Sequence, residues 1–326
     1  MRYFYHSFII MAVGLLGAYF LGGVSAVYIA FLLIVLEISL SFDNAVVNAK
    51  VLETMDPVWQ KRFIVFGIPI AVFGMRLLFP LAIVSAVTGM GLFETLDIAM
   101  HQPKLYEETL QSTETTIFAF GGAFLLMVFL DFFFEDHDIK WVAFIEGSKL
   151  VQHVSSVANI ELILAIFVGI MLGHMSHDFG IVMAFMYGVL LHSLLGTLDH
   201  FLSSDTVKSG IAGFIYLEVL DASFSFDGVI GAFALTSDIF VIMIGLGVGA
   251  MFVRSLTLFL VEHKTLSEYR YLEHGAHYAI GILAFIMLIK INIEVSEIIT
   301  GTVGVGLIAI AFIHSLWANK QENMQR

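Results

Sequence analysis

Residues 25–52 read SAVYIAFLLIVLEISLSFDNAVVNAKVL. A bilayer-spanning helix needs about 20 consecutive apolar residues, and this run is long enough. Its middle nevertheless carries Glu37, Ser39, Ser41, Asp43 and Asn44. An acid inside hydrocarbon costs about 2.5 kcal/mol or more unless it is paired, protonated or facing water, so such residues mark a site. On an unbroken helix Glu37, Ser41, Asn44 and Asn48 form one stripe, and Asp43 lies off it. A break near residues 40–43 would let Glu37, Asp43 and freed carbonyls converge.

The same pattern returns later in the chain. Glu37-Ile-Ser-Leu-Ser-Phe-Asp43-Asn44 matches Asp221-Ala-Ser-Phe-Ser-Phe-Asp227-Gly228 as acid-x-Ser-x-Ser-Phe-Asp. Downstream, Gly67 and Arg76 recur at equal spacing as Gly245 and Arg254, and Glu114 and Gly122 have Glu273 and Gly281 as counterparts. Ile9-Ile-Met-Ala against Ile181-Val-Met-Ala extends the likeness more weakly towards the N-terminus.

Composition generalises the reading to the whole chain. The 326 residues are 59% hydrophobic with a mean hydropathy of +0.93 and only 13% charged, where soluble domains carry about 25%. A soluble fold is excluded. The formal net charge of −13 argues against nucleic acid, and with no cysteine both disulfides and thiolate metal sites are ruled out.

Hydropathy predicts an all-α polytopic membrane protein forming a single membrane domain, with about ten transmembrane helices. The expected spans are 7–22, 25–52, 61–90, 114–134, 158–174, 180–201, 210–236, 238–261, 275–291 and 296–317. The N-terminal run, lacking a small-residue cleavage site, reads as a retained span. The longer connections are the acidic stretch 93–113 and the cytoplasmic connection 135–157, where Trp141 to Val151 is expected as an interfacial helix.

Arg2, Lys50, Lys61, Arg62, Lys140, Lys149, Lys208, Lys264, Arg270, Lys320 and Arg326 then fall on one side, against Lys104 and Lys290 on the other. The positive-inside rule puts both termini in the cytoplasm. The second to fourth spans and the seventh to ninth become repeats of opposite orientation. The weaker N-terminal likeness extends the units to spans one to five and six to ten, with repeat 1 about 7–174 and repeat 2 about 180–317. Inverted repeats are the plan by which many secondary transporters place a site at the membrane midplane.

The candidate metal ligands are Glu37, Asp43, Asn44, Glu218, Asp221 and Asp227, supported by Ser41, Ser225, Arg76 and Arg254. Carboxylate, amide and hydroxyl oxygens suit hard or borderline cations, Mn²⁺, Mg²⁺ or Ca²⁺, over Cu⁺ or Zn²⁺. Gly228 is expected to ease a second break, in the seventh span. The competing structural reading is that the acids only pair with Arg76 and Arg254 to tie helices together. Five acids against two arginines leave negative charge that a divalent cation, protons or both would balance. His192, with Asp199 and His200, is a possible proton relay. The His174, His177 and Asp178 cluster reads as a solvated loop, Glu135-Asp136-His137-Asp138 as a solvated helix cap, and Phe129, Phe132, Phe133 and Phe134 as lipid-facing surface.

The Ser-Phe-Asp43-Asn44-Ala motif resembles the first signature of the TerC family of membrane proteins, linked to tellurium resistance and manganese export. Glu218-Val-Leu-Asp221-Ala-Ser-Phe-Ser-Phe-Asp227, followed by Arg254, is similar to its second. The resemblance implies a manganese exporter within the wider LysE-like transporter group, with Mn²⁺ as bound substrate. The chain is expected in the bacterial inner membrane, and the excess negative charge makes protons the expected counter-ion. It carries over to Glu37, Asp43, Asn44, Glu218, Asp221 and Asp227. Ile34 stands where the repeat would place a counterpart of Glu218. No catalytic residue is expected; a rival class is a membrane-embedded aspartyl-type enzyme using Asp43 and Asp227 as a dyad, and a third is a non-transporting scaffold in metal stress.

Overall fold

The computed structural model describes residues 2–78, 81–82, 84–85, 89–135, 137, 139–202, 210–233, 235–236, 238–263, 269–293, 295 and 297–325. Among the described residues regular structure is helical, with no β-sheet. Six helices are long and apolar enough to cross a membrane: Tyr5–Ile38, Pro103–Phe134, Phe179–Thr197, Ile239–Glu262, Leu272–Lys290 and Thr302–Gln321. The chain is an α-helical multi-pass membrane protein. Its exposed surface is correspondingly apolar, with Phe20, Val24, Phe167 and Ile170 among many large side chains facing outward.

The first helix, α1 (Tyr5–Leu40), contains two non-helical residues, Gly22 and Gly23, the latter at φ 65° and ψ −151°. That backbone region is open essentially to glycine alone. The chain reverses there. Ser7 bonds the Met251 carbonyl and the Ser255 hydroxyl of α11 (Ile239–Glu262), and Gly14 abuts Val248 and Ile244. Further on, Leu33 touches Gly245 and Glu37 touches Gly249. Contacts thus descend α11 along 5–21 and climb it along 24–40, so the arms form a helical hairpin laid on α11. The boundary expected between 22 and 25 coincides with this reversal, while the expected span 25–52 is divided at Ser41 into the second arm of α1 and a separate helix.

Next come α2 (Phe42–Glu53) and α3 (Pro57–Pro69), the latter started by an Asp56 cap that accepts from the Val58 N–H at 2.7 Å. A proline inside a helix supplies no N–H and disturbs the hydrogen-bond ladder. Directly after Pro69 the chain widens into a π-helix, Ile70–Leu78. Such segments frequently accompany functional sites, and this one carries Arg76.

The remaining elements are α4 (Leu92–His101), α5 (Pro103–Phe134), α6 (Ala143–Glu146), α7 (Lys149–Ser155), α8 (Ile160–Ser176), α9 (Phe179–Leu202), α10 (Gly210–Phe233), α12 (Leu272–Lys290) and α13 (Glu297–Gln325). The core gathers around α5, which packs on α9 and α12; Phe118, Phe124 and Leu125 of α5 are fully buried there with Ile280 and Met287 of α12.

Several expectations need correction. The stretch 93–113 is helical apart from Gln102, forming α4 and the first turns of α5. The single interfacial helix expected over 141–151 is two short ones, α6 and α7. Phe129 and Phe132 of the Phe-rich stretch are not lipid surface. Phe132 is buried and stacks face to face on His277, ring centroids 3.8 Å apart and 5° from parallel, while Phe129 fills the space over Gly281 of α12. Sequence periodicity cannot say which side of a uniformly apolar helix faces protein, and here the facing helix offers a glycine gap and a flat imidazole.

Candidate functional site

Glu37 lies in the last turn of α1, and Ser41 interrupts the helix before α2 begins. The interruption lies where the sequence reading expected one, but it is slight. Ser41 departs to φ −104° and ψ 16°, yet its N–H still donates to the Glu37 carbonyl at 3.0 Å and its carbonyl accepts from Ala45 N–H at 3.1 Å. Those two carbonyls are therefore engaged within the helix and not turned to a cation. No second break is present: α10 runs continuously from Gly210 to Phe233, through Gly228. Gly228 remains within the helical hydrogen-bonded run, so its permissive backbone is not used.

The stripe predicted on this helix is buried throughout, with Glu37, Ser41, Asn44 and Asn48 all at most 5% exposed. It faces the first turns of the second motif and the π-helix. Arg76 bridges Glu37 and Asp221, its Nη2 on the Glu37 carboxylate and its Nη1 donating to Asp221 Oδ2 at 3.2 Å. Asn44 Nδ2 donates to the other Asp221 oxygen at 2.8 Å, and Ser41 Oγ donates to Glu37 Oε1 at 3.1 Å. Two acids from the two motif copies thus sit on one guanidinium.

Glu218, one turn before Asp221 on α10, lies beside this group. Arg254 Nη2 approaches Glu218 Oε1 only to 3.8 Å, a loose pair. Among the described residues neither Glu218 oxygen has a hydrogen-bond partner, and neither do Nε and Nη2 of Arg254. The Arg254 guanidinium lies 3.8 Å from the Phe63 ring centre. It occupies the space left by Gly67, where a methyl group would overlap it. A small recess lined by Asn48, Phe63, Arg76, Asp221, Arg254 and Thr257 opens onto both guanidinium groups.

The structure therefore brings together Glu37, Ser41, Asn44, Arg76, Glu218, Asp221 and Arg254. The side chains of Asp43, Ser225 and Asp227 lie outside the described residues, as do those of Asp199 and His200. Asn48, Phe63, Gly67 and Thr257 complete the surroundings. Asn48 was legible from the polar stripe, and Gly67 from its register with Gly245. Phe63 and Thr257 carried no distinguishing signal.

Among the described residues no three His, Cys, Asp or Glu side chains converge on a metal position. What exists is an arginine-closed cluster in which three described carboxylates, Glu37, Glu218 and Asp221, face two arginines. Elsewhere, His192 is buried 3.5 Å from Asp131. His174, His177 and Asp178 are exposed, His174 in the last turn of α8 and the other two directly after it. His137 turns back on its own helix end, Nε2 at 2.9 Å from the Phe132 carbonyl, while Asp136 and Asp138 are outside the described residues.

The signature of a family described as protein of unknown function, DUF475, matches residues 42–322. The chain belongs to the DUF475 family. The match takes in Asn44, Arg76, Glu218, Asp221 and Arg254 and begins just after Glu37 and Ser41. No curated protein and no solved structure matches the chain.

Proposed function

We propose that this DUF475 chain is a secondary transporter exporting a divalent metal cation, Mn²⁺ foremost, from the cytoplasm of a bacterial cell across its inner membrane, with protons as counter-ions. The architecture is ten spans with both termini cytoplasmic, built as two inverted repeats that rock about a midplane site. The observation that carries this reading is the meeting of Glu37 and Asp221, one from each motif copy, on buried Arg76, with Glu218 alongside.

The chemistry follows from the donors. Asp221, Glu218 and the Asn44 amide oxygen are hard ligands that suit Mn²⁺ better than a thiophilic ion, and Asp43 and Asp227 add two further carboxylates by sequence. Three described acids against two arginines leave one negative charge that a cation would balance. The likeness of both motifs to TerC signatures points to manganese within the hard-cation group. Entry of the ion exchanges an arginine–carboxylate contact for a metal–carboxylate contact, and protonation of the acids from the outer side favours release.

The test is Mn²⁺ flux in proteoliposomes carrying wild type, Asp221→Asn or Glu218→Gln. Metal uptake that follows an imposed pH gradient in wild type and disappears in both variants is the expected result. Equal movement in protein-free vesicles would overturn the proposal. A scaffold in metal stress is the reading favoured by Arg76, which already occupies two acids; under it, neither substitution alters metal tolerance. For the aspartyl-enzyme alternative, Asp43→Asn abolishes cleavage of a membrane peptide while metal tolerance stays intact.

A further inference from the structure

Arg76 and Arg254 are equivalent in the sequence repeat, but their surroundings differ. Arg76 is spent on two carboxylates, Glu37 and Asp221, and is 3% exposed. Arg254 is equally enclosed in practice, at 9% exposed, yet its nearest carboxylate oxygen is 3.8 Å away. A buried guanidinium usually saturates its donors, because a buried donor without a partner has given up water for nothing. Among the described residues Arg254 leaves Nε and Nη2 unbonded, and Glu218 opposite leaves both oxygens unbonded.

The reason lies on α3. The Phe63 ring face attracts the cation at 3.8 Å, and Gly67 one turn on leaves the room it fills. Arg254 therefore lies between two berths, filling the first while its Nη2 is already 3.8 Å from the second. One is the ring and glycine notch on α3; the other is Glu218, with Asp221 and Arg76 as the further charges around it.

We propose that Arg254 is a tethered stand-in for the transported cation: it rests on Phe63 and Gly67 while the ion occupies Glu218 and Asp221, and it swings onto Glu218 when the ion leaves. The inference deepens the transporter reading and rests on it. Arg76 is a fixed tie, and Arg254 is a positioning residue that sets how tightly the site holds its cargo. Neutralising Glu218 in the emptied state spares a bare buried carboxylate, and removing that competitor should make the site retain metal.

The experiment is Mn²⁺ titration of the purified full-length protein in detergent, reading free Mn²⁺ by its paramagnetic resonance signal. Variants are Arg254→Gln, Arg254→Lys, Phe63→Leu and Gly67→Ala, with thermal unfolding run in parallel without metal. Arg254→Gln is expected to bind roughly tenfold tighter, since one buried positive charge is removed from beside the ion. Phe63→Leu and Gly67→Ala are expected to bind several-fold weaker, because both drive the guanidinium off α3 towards Glu218. Arg254→Lys, which keeps the charge, stays within about threefold of wild type. A purely structural role would weaken binding in all variants, in step with their loss of thermal stability. Should Arg254→Gln bind Mn²⁺ no tighter than wild type, the stand-in role is overturned and the transporter reading survives. Should wild type itself bind no Mn²⁺, the reading beneath it falls instead. If Gly67→Ala does not fold, Phe63→Leu carries the opposing arm.

Discussion

Glu37 and Asp221 are bound by the same guanidinium, that of Arg76, although they come from the two separate copies of the acid–serine motif. One cation thus ties the end of α1 to the middle of α10. Breaking a buried ion pair by removing one partner typically costs about 3–5 kcal/mol, because a bare charge is left behind. Arg76→Gln is therefore expected to lower the folded yield and the thermal midpoint markedly. Glu37→Gln introduced with it should recover part of the loss, measured by unfolding in detergent.

Asp221 accepts from Asn44 at 2.8 Å and from Arg76 at 3.2 Å. Asparagine at this position keeps one oxygen acceptor and nearly the same shape but loses the charge. Asp221→Asn is accordingly expected to remain folded while its Mn²⁺ affinity drops by roughly tenfold or more. A binding isotherm beside a thermal scan separates the two effects.

Gly23 has φ 65° and ψ −151°, and a methyl group there would meet nothing within 4 Å. Its replacement thus probes backbone strain with no steric term. Gly23→Ala should cost on the order of 1–3 kcal/mol, seen as a lower unfolding midpoint and earlier release of the first arm of α1 in hydrogen exchange.

Lys50 and Glu273 bridge α2 and α12 at 2.9 Å with side chains 42% and 24% exposed. Exposed pairs of this kind contribute about 0–1 kcal/mol. Lys50→Gln should barely move the thermal midpoint. Reversing both charges (Lys50→Glu with Glu273→Lys) should return any loss caused by Lys50→Glu alone.

The connection 135–157 is fastened through Glu146, whose carboxylate accepts from the Trp141 and Val142 N–H groups at 3.0 and 3.1 Å and from the Tyr278 hydroxyl at 2.9 Å. Only the last of these reaches α12. Hydrogen bonds to a charged group contribute about 1.5–3 kcal/mol, so Tyr278→Phe should loosen the connection locally. Limited proteolysis within 135–157 is expected to speed up severalfold while metal binding is retained.

Membrane class, helical content and most of the site were legible from order along the chain alone. Apolar runs of spanning length admit only helices or closed barrels, and acids placed within them had to find partners. The mirrored Gly67–Arg76 and Gly245–Arg254 pairs also named both arginines. Their division of labour was not legible, because it depends on which neighbour each guanidinium meets. Pro69 was visible, but the π-helix that follows it and carries Arg76 was not. Nor was the continuity of α10 through Gly228, since a glycine permits a break without requiring one.

By itself, then, the sequence determined that this chain crosses a membrane as helices and buries carboxylates from a duplicated motif. Hydropathy and charge are properties of residue type, and the bilayer acts on them wherever they occur. The tertiary structure alone decided that Glu37 and Asp221 share Arg76 while Arg254 lies beside Phe63 and Gly67. Hydrogen bonds and contact ion pairs need their partners within about 4 Å, and only the packing of α1, α3, the π-helix, α10 and α11 sets distances on that scale.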